Sequence, residues 1–265
     1  MKPPSLTPNI NPAFSRLEIL IGNGDLEILR KSHMAVIGLG AVGSFAAEAL
    51  ARSGIGTLTL VDFDLVGATN INRQLFALSS TIGQSKVEVA AKRLRDINPD
   101  VVVHPLREFY HHDTADRLLA GKYDFLIDAI DGVNPKTDLI SRCLERGIPF
   151  ISAMGAGGRK DPGAIDFSDL SRTSGCPLCR AMRKSLAKKG IRKGVPVVYS
   201  REPAAVKPKS PDAVSDELLE EHLQRGRRRY IQPSAVFIPG IFGLMAAWYA
   251  VNERLKVQDV RLKEN

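Results

Sequence analysis

The chain carries a run of glycines whose spacing suits phosphate binding. A G-x-G-x-x-G pattern directly follows the apolar residues 34–37. Its candidate cofactor-binding positions are Gly38, Gly40, Ala41 and Gly43. Glycines at this spacing allow a tight turn and let backbone N–H groups approach a phosphate closely. Residues 44–53 read as a helix, whose positive N-terminus would face the same phosphate. The pattern therefore predicts a nucleotide site between a buried strand and a helix.

Acidic residues follow two later apolar runs. Asp62 and Asp64 come after the second run, where an acidic residue accepts hydrogen bonds from a ribose hydroxyl. Asp128 and Asp131 come after residues 125–127. Carboxylates at the carboxyl end of a parallel strand face the ligand crevice, and one of them can hold Mg²⁺ against phosphate oxygens. We expect Asp131 to be the metal ligand, because Asp128 lies closer to the buried strand.

The glycines and Asp62 alone suit NAD and ATP equally well. The segment that follows separates the two, because it is polar and contains Asn70 and Arg73, with Lys86 shortly after. Several cations beside a phosphate loop suit a triphosphate. A nicotinamide would need an apolar slot, which this stretch does not offer. The sequence therefore favours ATP with Mg²⁺ over a redox dinucleotide.

The elements that must position these residues alternate between strand and helix from residue 34 to residue 152. This alternation predicts an α/β fold with a Rossmann-like, doubly wound and mostly parallel sheet and helices on both faces. We expect a C-terminal antiparallel extension. The chain has 265 residues, 44% of them hydrophobic and 25% charged, which is ample for one large domain.

Taken together, the motifs resemble the adenylation domain of the ubiquitin-activating-enzyme-like (ThiF/MoeB) superfamily over residues 14–166. The segments that carry the resemblance are G-L-G-A-V-G, D-F-D, N-x-N-R-Q, G-Q-S-K and D-A-I-D-G. The resemblance assigns the following residues to ATP: Gly38, Gly40, Ala41, Gly43, Asp62, Asp64, Asn70, Arg73, Lys86 and Asp131.

Within that set the resemblance implies a catalytic role for Arg73 and Lys86 on the triphosphate and for Asp131 as the magnesium ligand. It also implies that Arg16 reaches the ATP of the partner subunit in a homodimer. The alternative for Arg16 is a solvated helix arginine.

Local runs are similar to the tRNA threonylcarbamoyladenosine dehydratases of that superfamily. They are residues 49–56, 97–99, 127–131 and 155–162. This resemblance implies an ATP-dependent dehydration, a cyclisation of threonylcarbamoyladenosine in tRNA through an acyl-adenylate. An adenylyltransferase that activates the C-terminus of a ubiquitin-like sulfur carrier shares the same ATP chemistry and stays open. A non-catalytic nucleotide-binding regulator is a third interpretation.

Basic residues are concentrated in two clusters in a chain of net charge +8. The first cluster is Arg180, Arg183, Lys184, Lys188, Lys189, Arg192 and Lys193. The second cluster is Arg225, Arg227, Arg228 and Arg229. Such clusters attract phosphate backbones, so we expect tRNA as the partner, although a solvated helix face has the same composition.

Composition divides the chain into four segments. Residues 1–13 are predicted to be disordered, residues 14–166 to form the ATP-binding core, and residues 167–232 to form a basic, loop-rich substrate or lid region. Residues 233–265 are predicted to form a buried C-terminal helix and tail within the same domain. The uncharged residues 235–251 favour a buried helix over a membrane span, because Pro239 and two glycines interrupt them. We expect a cytoplasmic homodimer.

The chain has three cysteines. Cys143 lies in a helical pattern and is expected to be buried. Cys176 and Cys179 form a C-x-x-C, which is half of a structural zinc site, and two such pairs in a dimer could share a zinc. The second C-x-x-C of the sulfur-carrier-activating relatives is absent. Whether a sulfur-transfer partner takes part is left open.

Overall fold

In the part of the chain that the structure describes, seven strands form one sheet. A computed structural model describes residues 11–204 and 232–263 of the chain. The strands are β1 (His33–Ile37), β2 (Thr57–Val61), β3 (Val102–Leu106), β4 (Phe125–Asp128), β5 (Phe150–Ala153), β6 (Ile165–Asp169) and β7 (Pro196–Ser200). Their order is β3-β2-β1-β4-β5-β7-β6, and every pair is parallel except β6 with β7. The predicted mostly parallel sheet is confirmed, and its antiparallel part is the edge strand β6.

Helices pack on both faces of this sheet, as predicted. They are α1 (Ser15–Ile21), α2 (Asn23–Arg30), α3 (Gly43–Arg52), α4 (Lys86–Ile97), α5 (His112–Leu118), α6 (Val133–Arg146), α7 (Pro177–Ala187) and α8 (Phe237–Lys263). Met34 and Val36 of β1 share a buried cluster with α3, α4 and α8. Ala35 and Ile37 share the opposite cluster with α5, α6 and α7. Successive residues of a strand point to opposite faces, so both faces of β1 are covered.

The register of β1 places the candidate site residues at one edge of the sheet. Ile37 at the end of β1 lies beside Val61 of β2 and beside Asp128 of β4. The residues that follow these three strand ends therefore emerge at the same level. The strand order reverses between β1 and β4, and ligands of doubly wound sheets bind at such a switch point.

Helix α8, within the segment predicted to form the C-terminal helix, is buried on one face. Phe242, Ala246 and Ala250 are fully buried against α3. On the opposite side Leu244 and Trp248 are 52% and 57% exposed. Within the described chain, α8 therefore packs through one face only. Among the described residues, no helix is both long enough and apolar enough to cross a membrane.

Parts of two predicted segments lie outside the described residues. Of residues 1–13, which are predicted to be disordered, residues 1–10 are not described, and Pro12–Phe14 forms a short 3-10 helix. Of the predicted substrate or lid region, residues 167–204 are described and contain α7 and β7, while residues 205–231, with the second basic cluster, are not described.

A buried ion pair joins the strands and helix that lead to the site. Lys136 of α6 donates to the Asp128 carboxylate at the end of β4, with a 2.7 Å Nζ–Oδ2 distance, and both side chains are fully buried. The Ser152 hydroxyl of β5 donates to the same oxygen at 2.6 Å. The Asp128 side chain therefore belongs to the buried core, and the loop that carries Asp131 begins directly after Asp128.

Replacing Lys136 by methionine tests this buried pair. Lys136→Met leaves the Asp128 charge buried without its cation, so the free energy of unfolding should fall by about 3–5 kcal/mol. The double variant Asp128→Asn/Lys136→Met should recover part of that loss. Urea unfolding measures both. Lys122→Met, at an exposed lysine near β4, is the matched control and should change stability by less than about 0.5 kcal/mol.

Candidate nucleotide-binding site

The glycine turn is built by close backbone contact between β1, β4 and α3. Gly38 has a φ of +93°, and a Cβ there would lie 2.8 Å from the Ala129 carbonyl oxygen. A Cβ on Gly43 would lie 1.8 Å from the Gly38 carbonyl oxygen. Neither position accepts a side chain. Gly40 differs, because a Cβ there would meet no described atom within 4 Å. The space beside Gly40 is therefore open to a ligand.

The Asp62 carboxylate anchors this turn to the end of β2. It accepts hydrogen bonds from the Leu39 amide at 2.6 Å and from the Asp64 amide at 2.8 Å. The carboxylate is almost fully buried, and burial raises the pKa of Asp62. The nearby charge of Lys86 acts in the opposite direction. Both Asp62 oxygens thus bind the protein backbone, and a ribose contact by Asp62, which stays a prediction, would add to these bonds.

Lys86 lies at the start of α4 and pairs with Asp64. Its Nζ is 3.1 Å from Asp64 Oδ2, and the Lys86 amide donates to the Asp64 carbonyl, also at 3.1 Å. The residue is 6% exposed. A lysine held this way behind the acidic loop is a desolvated cation, which interacts with a phosphate more strongly than a solvated lysine would.

Asn70 and Arg73 lie on a tight turn that begins with the 3-10 segment Ala68–Asn70. The Gly67 amide donates to Asn70 Oδ1 at 3.2 Å, and Arg73 donates to the Thr69 carbonyl at 2.7 Å. The Leu75 amide just beyond donates to the hydroxyl of Ser44 on α3 at 3.1 Å. The first two bonds shape the turn itself, and the Leu75–Ser44 bond attaches the residues just after it to the N-terminus of the helix that follows the glycine turn.

Asp131 lies exposed in the loop between β4 and α6. It follows Ala129 by two residues, and the Ala129 carbonyl touches Gly38. Arg73, Lys86 and Asp131 therefore all stand on segments attached to the glycine turn. A solvent-facing carboxylate here matches the oxygen ligands that Mg²⁺ takes. The buried Asp128 is already paired with Lys136, so Asp131 remains our expected metal ligand.

Arg16 is exposed on α1, which packs against α2. The predicted contact of Arg16 with a nucleotide requires a second subunit. It stays a prediction.

Two contacts at the site were not predicted from the sequence. The Asn72 side chain donates to the Ser234 carbonyl at 3.0 Å. The Gly158 amide, in the loop after β5, donates to the Pro233 carbonyl at 2.7 Å. Both bonds join the glycine-turn side of the sheet to the segment that precedes α8. The partners are far apart in the chain, so no local pattern signals them.

The first basic cluster lies on and after α7, and its members are not equivalent. Arg180, Lys184 and Lys188 are exposed at four-residue spacing, which places them along one side of the helix. Arg183 is half-buried and donates to the carbonyls of Leu170 and Thr173. We call Arg180, Lys184 and Lys188 the basic stripe.

Cys176 and Cys179 are both buried and free, and Cys143 is buried as predicted. Among the described residues, the cluster of three side chains able to hold a metal ion contains His111, His112 and Asp113 and neither cysteine of the pair. The zinc considered for Cys176 and Cys179 gains no further ligand from this part of the chain.

The fold and site define a nucleotide-binding α/β protein, with a glycine turn at the switch point of a parallel sheet. The model of the ThiF family matches residues 14–264. The chain is 42% identical over 254 residues to the tRNA threonylcarbamoyladenosine dehydratase of Bacillus subtilis, which covers 94% of this chain and 96% of that protein. The chain belongs to the ThiF family.

Two further comparisons show how much of the chain resembles other named proteins. The E. coli tRNA threonylcarbamoyladenosine dehydratase, solved in complex with ATP, superposes with a TM-score of 0.81 at 34% identity, over 94% of this chain and 96% of that one. The molybdopterin-synthase adenylyltransferase of Salmonella typhimurium is 36% identical over 126 residues, which covers 48% of this chain and 50% of that protein. Similarity to the adenylyltransferase therefore extends over half of each chain.

Paired alanine substitutions separate the structural glycines from the one that faces open space. Gly43→Ala should lower the free energy of unfolding by about 3 kcal/mol, because its Cβ would overlap the Gly38 carbonyl. Gly40→Ala should leave stability within about 0.5 kcal/mol of the parent. Gly40→Ala should instead weaken ATP binding about tenfold, since the methyl occupies the approach to the amides.

Urea unfolding and titration calorimetry with ATP measure the two quantities separately. Unchanged ATP affinity in Gly40→Ala would show that no phosphate packs against this position.

Proposed function

We propose that this protein uses ATP to dehydrate, and thereby cyclise, threonylcarbamoyladenosine in tRNA through an acyl-adenylate. The observation that carries the proposal is that Arg73, Lys86 and Asp131 all lie on segments that contact the glycine turn or the elements that flank it. Similarity over nearly the whole chain to proteins that bear the name of this activity supports the choice of substrate.

The first step activates the substrate's carboxylate. A carboxylate oxygen of the threonyl group attacks the α-phosphorus of ATP, the bond from that phosphorus to the bridging oxygen breaks, and pyrophosphate leaves. Lys86, assisted by Arg73 and Asn70, holds the phosphates and offsets the negative charge that grows on the leaving group. Asp131 would hold Mg²⁺, which supplies further charge neutralisation at the phosphate oxygens.

The second step closes the ring. A nitrogen or oxygen of the same substrate attacks the adenylated carbonyl, and AMP leaves. Because both reacting groups belong to one molecule, proximity supplies much of the rate, and no nucleophile from the protein is needed. The overall reaction removes one water from the modified nucleoside and converts ATP to AMP and pyrophosphate.

The basic stripe is the surface that we assign to tRNA. Arg180 and Lys184 lie on α7 and Lys188 directly follows it, and all three are exposed, whereas Lys86 beside the glycine turn is buried. A row of this kind binds a phosphate backbone without reading its sequence. The stripe would thus hold the tRNA body while the modified base enters the site.

A homodimer in the cytoplasm completes the proposal. Ile19 and Leu20 beside Arg16 are 62% and 80% exposed, and Trp248 and Leu244 form an apolar face on α8. Exposed apolar side chains grouped in this way favour association with another protein surface. A second copy would cover them, and it would also provide the partner ATP that the predicted role of Arg16 requires.

The alternative is an adenylyltransferase that activates a ubiquitin-like sulfur carrier. It would use the same glycine turn and the same cations. Similarity over only half of the chain to the molybdopterin-synthase adenylyltransferase makes it the second choice.

Mass spectrometry of tRNA nucleosides tests the proposed reaction. Incubation of threonylcarbamoyladenosine-containing tRNA with ATP, Mg²⁺ and the protein should yield a nucleoside lighter by one water, with one AMP formed per product. Lys86→Met should lower the rate about 100-fold or more, because the charge beside the phosphates is lost. Lys92→Met, at an exposed lysine of the same helix, should keep the parental rate.

Pyrophosphate exchange distinguishes the two activities. Exchange that depends on the modified tRNA supports the dehydratase. Exchange that appears only with a sulfur-carrier protein would replace it by the alternative.

Neutralising the basic stripe tests the surface assigned to tRNA. The triple variant Arg180→Gln/Lys184→Gln/Lys188→Gln should bind tRNA more weakly and should bind ATP normally. The slope of log affinity against log salt should fall by about one for each phosphate that the variant no longer neutralises.

Filter binding over a salt series measures this slope. The control variant Lys31→Gln/Lys92→Gln/Lys122→Gln removes the same charge from exposed lysines elsewhere. Equal weakening in both variants would mean that only net charge, and not this surface, attracts the tRNA.

A further inference from the structure

Cys176 and Cys179 stand at the start of α7. Cys176 is the N-cap residue that precedes Pro177, and Cys179 lies in the first turn. Residues three apart share a face of a helix, so the two sulfurs lie side by side. Cys176 is 4% exposed, and Cys179 is fully buried. The pair is therefore close, reduced and shielded.

A buried arginine lies beside the pair. Arg159 is 7% exposed, and it donates from Nη1 to the Gly155 carbonyl and from Nε to the Glu202 carbonyl. Its Nη2 is buried and has no hydrogen-bond partner within the described part of the chain. A Cβ built on Gly155 would lie 3.6 Å from Arg159 Nη1 and 3.7 Å from Cys176 Sγ. The guanidinium and the Cys176 sulfur thus both lie close to Gly155.

These neighbours stabilise the thiolate of one cysteine. The Cys179 thiol donates to the Cys176 sulfur and lowers the pKa of Cys176, and the Arg159 charge lowers it further. The positive end of α7 acts in the same sense. The pKa of Cys179 is raised, because its proton is held in that hydrogen bond. Burial raises the pKa of Cys143 on α6 to about 12, which makes Cys143 a matched unreactive thiol.

The proposed acyl transfer does not use these cysteines. We propose that Cys176 and Cys179 are a redox-active dithiol that a hydroperoxide oxidises to a disulfide, with Cys176 reacting first. Two observations carry this inference. The C-x-x-C lies at a helix N-terminus, and Nη2 of the buried Arg159 has no hydrogen-bond partner among the described residues. It is independent of the proposed function.

The chemistry balances with peroxide as the oxidant. The Cys176 thiolate attacks one peroxide oxygen, the O–O bond breaks, and the other oxygen leaves as hydroxide, which takes up a proton to become water. Cys176 is then a sulfenic acid. The Cys179 sulfur loses its proton and attacks the Cys176 sulfur, the S–O bond breaks, and a second water leaves. The two thiols give up two electrons, which reduce one peroxide.

The test oxidises the full-length protein with stoichiometric hydrogen peroxide at pH 7 and maps its peptides without reduction. We expect a Cys176–Cys179 disulfide, the loss of two hydrogens from the intact mass, and complete reversal by dithiothreitol. Cys179→Ser should stop at a sulfenic acid on Cys176 that dimedone traps. Cys143→Ser should react at the parental rate.

Replacing the arginine tests the role of its charge. At a pH below the pKa of Cys176, where the thiolate is the minor form, Arg159→Gln should slow the reaction about tenfold, as a rise of one unit in the thiol pKa would. Arg172→Gln, at an exposed arginine near α7, should not slow it. The inference is overturned if dimedone labels Cys143 as fast as Cys176, if no disulfide forms, or if the purified protein holds a stoichiometric zinc on the pair. The Cys179→Ser result stands even if Arg159→Gln fails to fold.

Discussion

Three stretches of backbone meet at the end of β1 more closely than side chains would permit. The Gly43 position abuts the Gly38 carbonyl, and Gly38 in turn abuts the Ala129 carbonyl beyond β4. This contact holds the first turn of α3 against the sheet edge, at the switch point of the sheet. The other groups of the candidate site lie on segments attached to this contact. The geometry of the site therefore depends on backbone atoms rather than on side chains.

Two charged side chains beside the turn, Asp62 and Lys86, are buried, and each has polar partners. Asp62 gives up solvation to bind the Leu39 amide, and burial raises its pKa as a result. Lys86 offsets part of that cost and keeps its own charge near the turn through Asp64. The Lys86–Asp64 pair and the backbone bonds of Asp62 therefore fix these charged side chains beside the turn.

Residues near the C-terminus contact loops beside the candidate site. The bonds of Asn72 and Gly158 to residues 233–234 tie two loops to the segment before α8. Helix α8 itself lies against α3, and a Cβ on Gly243 would come within 2.4 Å of the Val42 carbonyl. The glycine turn and α3 are thus supported by α8, and the ThiF family model matches residues 14–264.

The sequence by itself determined the strand and helix order, the glycine turn, and the positions of Asp62 and Asp131 after strand ends. These are local properties, because spacing and polarity report which residues follow a buried run. Only the tertiary structure decided that Asp128 is neutralised by Lys136, that α8 keeps an exposed face, and that Arg159 lies beside Cys176. Those outcomes depend on contacts between residues distant in the chain, which strand order and packing create and no local pattern encodes.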